Sequence, residues 1–136
     1  MLNEFLFVYG TLRREAGNSR HVLLAQHCRF YGPATLRGLL YEVHGYPGAI
    51  ESDKPGSRVA GELYRIIERK PLFALLDDYE ECAENYPHPR EYVRKSIQVK
   101  TADGETLTAW AYIYNYPVQG LTEIWSGDYL NWNTSP

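Results

Sequence analysis

Apolar and polar positions along this chain change period several times, and each change marks an element. Residues 4–9 (EFLFVY) are apolar nearly throughout and rich in Phe, Val and Tyr, which predicts a strand buried on both faces. Gly10 ends it. Asn18-Ser19 are capping residues for a short helix over residues 21–26, with Leu23 and Leu24 facing in. Residues 29–43 read as a strand pair interrupted at Gly32-Pro33 and Gly38, and Tyr46-Pro47-Gly48 and Pro55-Gly56 read as turns. Residues 58–67 alternate Val59, Gly61, Leu63 and Arg65 against Ala60, Glu62, Tyr64 and Ile66, a further strand.

The clearest helical period runs over residues 68–81. Leu72, Leu75, Leu76 and Tyr79 recur at i, i+3, i+4 and i+7, and Pro71 suits the first turn, where a missing N–H costs nothing. A loop over residues 82–90 carries Pro87 and Pro89. Strands over 91–101 and 106–116 flank Asp103-Gly104, a dipeptide suited to a tight hairpin turn. Tyr92, Arg94, Ser96 and Gln98 share one face of the first strand, and Trp110, Tyr112, Tyr114 and Tyr116 share one face of the second. About six strands and two helices, poorly alternated, predict an α+β fold with a closed or nearly closed small sheet. No repeat, linker or low-complexity tract divides the chain, so residues 1–136 read as one domain.

Composition narrows the function classes. Hydrophobic residues make up 44% of the 136 and charged residues 23%, values of a folded globular chain. The formal net charge is −3 and no basic run stands out, so a nucleic-acid partner is not expected. No apolar segment approaches the ~20 residues of a membrane helix, and the N-terminus places an acid before its apolar run, unlike a signal peptide. Cys28 and Cys82 are too few for a disulfide framework and are expected to be reduced thiols. A cytoplasmic protein is the expectation.

The four histidines form no HxH, HExxH or Cys/His ligand spacing, so no metal is expected. The sequence also lacks GxxxxGK[ST], GxGxxG and GxSxG, and no cofactor is expected. Two segments carry possible chemistry. A glycine at a strand's end, Gly10 before Thr11-Leu12, lets consecutive N–H groups form a small anion-binding nest, or it makes a plain turn. The acids Asp77, Asp78, Glu80 and Glu81 close the second helix against its macrodipole. Glu80 sits about 100° past Tyr79, at the edge of the apolar stripe. A solvated acidic face and a retained functional carboxylate both fit that placement.

Four segments, in order, resemble one family. Tyr9-Gly10-Thr11-Leu12 resembles the YG[ST]L signature of the gamma-glutamylcyclotransferase-like (AIG2-like) superfamily. Val59-Ala60-Gly61-Glu62-Leu63-Tyr64 resembles its VxGxLY strand. Leu76-Asp77-Asp78-Tyr79-Glu80, followed by Glu81-Cys82, resembles the LDxxE segment in its gamma-glutamylaminecyclotransferase form, and Tyr92-Val93-Arg94 resembles the YxR strand after it. Glu81 stands where many members carry glycine.

The resemblance implies a small mixed β-barrel of about six strands flanked by two helices, and a cavity where the backbone of residues 9–12 faces Glu80. There the loop holds the α-carboxylate or amine end of a γ-glutamyl group, and Glu80 serves as general acid/base. Tyr9, Gly10, Thr11, Leu12, Tyr92 and Arg94 are the expected substrate-binding residues, with Arg94 equally suited to a structural ion pair. The implied reaction turns a γ-glutamyl amine or peptide into 5-oxoproline and a free amine. Two alternatives stand beside it. One is a non-catalytic small-molecule-binding module on the same barrel. The other is an aromatic binding surface made of Trp110, Tyr112, Tyr114 and Trp125.

Overall fold

A computed structural model describes residues 4–9, 26–43, 46–79, 92–124 and 126–129. The elements in chain order are β1 (Phe5–Val8), β2 (Cys28–Leu36), β3 (Gly38–Val43), β4 (Tyr46–Glu51), β5 (Val59–Ile66), α1 (Arg69–Tyr79), β6 (Tyr92–Thr101), β7 (Thr106–Tyr114) and β8 (Thr122–Glu123). Five strands close a barrel in the order β1-β5-β2-β6-β7, and β4-β3-β8 form a second sheet. All barrel pairings are antiparallel except the seam, where β1 meets β7 in parallel at Leu6 and Trp110. This is the expected α+β mixed barrel.

The barrel is filled, not hollow. Phe5, Phe7, Leu36, Val59, Leu63, Ile97, Val99, Ala109, Ala111 and Ile113 form one buried cluster inside it, joined by Leu40 and Ala49 of the second sheet and by Ile124, just past β8. A second cluster covers the outer face: Leu6, Val8, Tyr64, Tyr92, Tyr112 and Tyr114, with Leu72 and Phe73 of α1 laid over them. β1 is therefore buried on both faces, as its unbroken apolar run predicts.

Gly61 makes one close approach possible. A Cβ there would run into the Val8 carbonyl oxygen and stand 2.6 Å from Cζ of Phe7. Only glycine lets β1 and β5 come together with the Phe7 ring lying over their seam.

The hairpin follows the expected register. Lys100 pairs with Thr106, Val99 with Leu107 and Ser96 with Trp110, around a turn in which Gly104 takes φ +89°. Two local expectations are corrected. Tyr46-Pro47-Gly48 is not a turn but the start of β4, with Glu42 opposite Pro47. β4 is an edge strand, and an edge tolerates the missing proline N–H. Residues 29–43 supply two strands that do not pair with each other. β2 joins the barrel, with a register shift between Phe30 and Gly32, while β3 pairs with β4 and β8. The expected first helix lies outside the described residues except at its end. No helix among the described residues is long and apolar enough to cross a membrane.

Candidate active site

The chain reaches the first candidate segment from β1. Val8 lies opposite Glu62 of β5, and Tyr9 follows at the strand's end. Tyr9 is buried, and its hydroxyl ties three strands together. It donates to the Tyr112 carbonyl of β7 at 2.6 Å and accepts from the Ala49 N–H of β4 at 3.2 Å. The residue before Gly10 is thereby anchored through its side chain. Tyr9→Phe removes both bonds and strands a buried N–H and C=O. It should cost about 1–3 kcal/mol in denaturant unfolding.

Tyr92 and Arg94 stand two residues apart on the outer face of β6. The Tyr92 hydroxyl donates to the Pro47 carbonyl at 2.6 Å, a second tie between barrel and β4. The Arg94 guanidinium lies 4.1 Å from the centre of the Phe73 ring, over its face, and 5.7 Å from that of Trp110. Phe73 meets Trp110 edge-on at 6.0 Å, and Arg69 approaches both rings at 5.2 and 5.9 Å. These stacked cations and rings fix α1 against β6 and β7. That matters because α1 runs through Tyr79, directly before Glu80.

Glu4 completes this layer. Its carboxylate accepts from the Trp110 indole N–H at 3.1 Å and from Arg69 Nε at 3.2 Å. The indole bond does most to hold its carboxyl below the ordinary 4.5; burial pushes the other way, and Arg69 and Arg94 add to the lowering. The lowered value means that the unfolded chain takes up the proton first as pH falls. The stability contributed by Glu4 is thus present above the ordinary carboxylate range and lost as pH drops through it. Unfolding midpoints measured from neutral into acid pH should fall less steeply for Glu4→Gln than for the parent.

Tyr9 packs with the interior cluster at the end of β1, whereas Tyr92 and Arg94 stand on the outer face of β6. Gly10, Thr11, Leu12 and Glu80 lie outside the described residues, as do Trp125 and Cys82. The aromatic-surface alternative is contradicted where it can be tested: Tyr112 and Tyr114 are buried and Trp110 is packed beneath Arg69 and Arg94. Hydrophobic alternation at a covered barrel face, rather than ligand stacking, explains that stripe. Cys28 is a free buried thiol, and burial pushes its pKa up to about 12, which removes it as a nucleophile. Among the described residues no group of three or more His, Cys, Asp or Glu could hold a metal ion.

One residue of β5 was passed over in the strand pattern. Glu62 is 2% exposed, with Tyr64 donating to its Oε1 at 2.9 Å. The signal available was an acid on a strand face shared with Ala60, Tyr64 and Ile66.

Residues 6–131 match the family described as "Gamma-glutamyl cyclotransferase, AIG2-like". The YtfP protein of Escherichia coli (strain K12), named a gamma-glutamylcyclotransferase family protein, is 36% identical over 127 residues, 93% of this chain and 96% of that one. The gamma-glutamylaminecyclotransferase of Rattus norvegicus is 33% identical over 110 residues, 74% of this chain and 66% of that one. Among solved structures, YkqA from Bacillus subtilis superposes with TM-score 0.68 at 29% identity, over 94% of this chain and 40% of that longer one. An AIG2-like protein from Mus musculus shares the fold, with TM-score 0.63 at 24% identity over 88% of this chain and 92% of that one. The barrel, the order of the four motif segments and a match across nearly the whole length place the chain in one family: it belongs to the AIG2-like gamma-glutamyl cyclotransferases.

Proposed function

We propose that this protein cleaves a γ-glutamyl amine or peptide to 5-oxoproline and a free amine, with Glu80 as general acid/base. The observation that carries the reading is the family match over residues 6–131, which includes both the 9–12 segment and Glu80. The described geometry supports it. β1 delivers Tyr9 to the start of one segment with its side chain anchored, and α1, which leads to the other, is held to the barrel in its first half, Phe73 against Arg94 and Arg69 against Trp110.

The chemistry follows from the substrate. A γ-glutamyl amide already holds its nucleophile, the free α-amine. Attack on the δ-carbonyl forms the ring C–N bond, and the exocyclic C–N bond then breaks. Holding the substrate in the ring-closing conformer is worth up to ~7–11 kcal/mol. The α-amine is protonated at neutral pH, so it must first lose a proton, and the leaving amine must gain one. A single carboxylate does both by taking the proton and returning it. A desolvated Glu has its pKa raised toward the operating pH, which suits both steps. In this reading the backbone of residues 9–12 holds the amino-acid end of the substrate, Tyr92 and Arg94 supply further substrate contacts, and the setting is cytoplasmic.

The test is a panel of γ-glutamyl amines and γ-glutamyl peptides assayed for 5-oxoproline release. Release from at least one class, with stoichiometric free amine, is the expected result. Binding without release across the panel would replace this reading with a non-catalytic binding module.

A further inference from the structure

Past the end of β1, the edge of β5 is not left open. The two strands run antiparallel, with Phe5 opposite Arg65 and Val8 opposite Glu62, so a β1 continued straight would next meet β5 at Ala60 on the same edge. The Ala60 N–H instead donates to the Gly127 carbonyl at 2.7 Å. A segment from the far end of the sequence thus occupies the seat of a longer β1. Just before that seat the chain is tied to the second sheet. The Ile124 N–H donates to the Leu40 carbonyl of β3 at 2.7 Å, and the Gly127 N–H donates to the Ile124 carbonyl at 3.0 Å.

Residues 126–129 are shaped for this place. Gly127 takes φ +71°, and a Cβ there would run into the Arg58 carbonyl oxygen, so conformation and space both demand glycine. The Ser126 hydroxyl accepts from the Asp128 N–H and donates to the Asp128 carbonyl, each at 3.2 Å, which folds the turn around Gly127. Tyr129 packs against the interior cluster, in which Ile124 is itself buried. Among the described residues the tethers of this segment are nevertheless few. β8, which leads into it, pairs with β3 only through Thr122 and Glu123, Ser126 is exposed, and Asp128 and Tyr129 are half-buried. The β6 and β7 strands, by contrast, pair along their whole length. Sparse burial and few shared hydrogen bonds mark the parts of a fold that open first.

We infer that residues 126–129, with Ile124, form a strap that closes the β5 edge beyond β1 and opens as one unit while the barrel stays folded. Closed, the strap joins β3 to β5 and covers part of the interior cluster. Open, it frees the Ala60 N–H, an unpaired strand edge of the kind that proteins keep covered. Its opening requires nothing of the proposed reaction, so the two stand or fall separately.

The test is amide hydrogen exchange on the whole protein, read at residues 60, 124 and 127 and along the β6–β7 hairpin. In the parent the strap amides should share one opening equilibrium, more readily reached than that of the hairpin. Gly127→Ala should speed all of them together by roughly tenfold or more, because a residue with a Cβ is strained at this φ, and should leave the hairpin unchanged. Gly56→Ala is the control. Gly56 also has positive φ, +80°, but nothing lies within 4 Å of a Cβ there, so the strap amides should keep their parent rates. Tyr129→Ala, which removes the packing on the interior cluster, should speed the same amides and stands in should Gly127→Ala fail to fold. Strap amides that exchange as slowly as the hairpin, or each through a separate opening, overturn the inference. So does a folded Gly127→Ala protein with parent rates at these amides, or one in which strap and hairpin accelerate alike. Failure of both variants to fold overturns it as well, since a strap that opens alone is not what keeps the barrel standing.

Discussion

Replacing Glu80 by glutamine should lower kcat by roughly 10²–10⁴, the usual worth of general acid–base catalysis, while leaving the fold and substrate binding nearly intact. The change keeps the side chain's shape and removes the proton acceptor. Without it the α-ammonium has no base and the leaving amine no acid, so both halves of the proposed cycle slow together. Glu81→Gln and Glu84→Gln, acids that follow the Leu76–Glu80 segment and lie outside it, should change turnover little. The measurement is kcat for the three variants on one active substrate, with thermal unfolding followed in parallel. Parent-like turnover in Glu80→Gln would remove Glu80 from the mechanism.

Adding one methyl at Gly61 should destabilise the barrel more than any surface change. The new Cβ has nowhere to go. On one side is the Val8 carbonyl oxygen, which is backbone and paired in the sheet; on the other is the Phe7 ring, with Cζ and Cε1 at 2.6 and 2.7 Å. Neither can give way without parting β1 from β5. Overpacking of this kind costs about 3 kcal/mol. For a chain of this size that is a fall in Tm of roughly 10 °C, read by scanning calorimetry. A Gly61→Ala protein with parent-like Tm would mean that the two strands are not so closely joined.

Much of this molecule was legible before any coordinates. β1, β5 and the β6–β7 hairpin announce themselves because each is buried in a regular way, and the Asp103-Gly104 turn sets the hairpin's register. β4 was misread because Pro47 and Gly48 are turn residues by local preference, and only the strand's place at an edge makes them acceptable. The separation of β2 from β3 was hidden for a related reason. Nothing local at Gly38 says that the chain is passing from one sheet to another. At the candidate site, motif spacing singled out Tyr9, Tyr92 and Arg94, but not what their side chains do. The two tyrosine hydroxyls grip β4, and the guanidinium lies on Phe73 of α1. Those partners are distant in sequence, and alternation along one strand cannot reveal them. Gly10, Thr11, Leu12 and Glu80 keep the role that the resemblance gives them, now as part of the proposal.

The parallel seam between β1 and β7 has a consequence for how the protein comes into being. β1 precedes the other described strands, yet its partners are β5 and β7, and among the described strands only β3–β4 and β6–β7 join neighbours in the sequence. Folding dominated by such distant pairings takes milliseconds to seconds once the chain is complete. On the ribosome the wait is longer. Roughly 100 residues separate the end of β1 from the start of β7, about 5–20 s of synthesis at ordinary elongation rates. Throughout that interval Phe5-Leu6-Phe7-Val8, apolar toward both faces, has no finished barrel to enter. This strand is the stretch of the nascent chain most exposed to wrong partners, and the one that a chaperone would have most reason to hold.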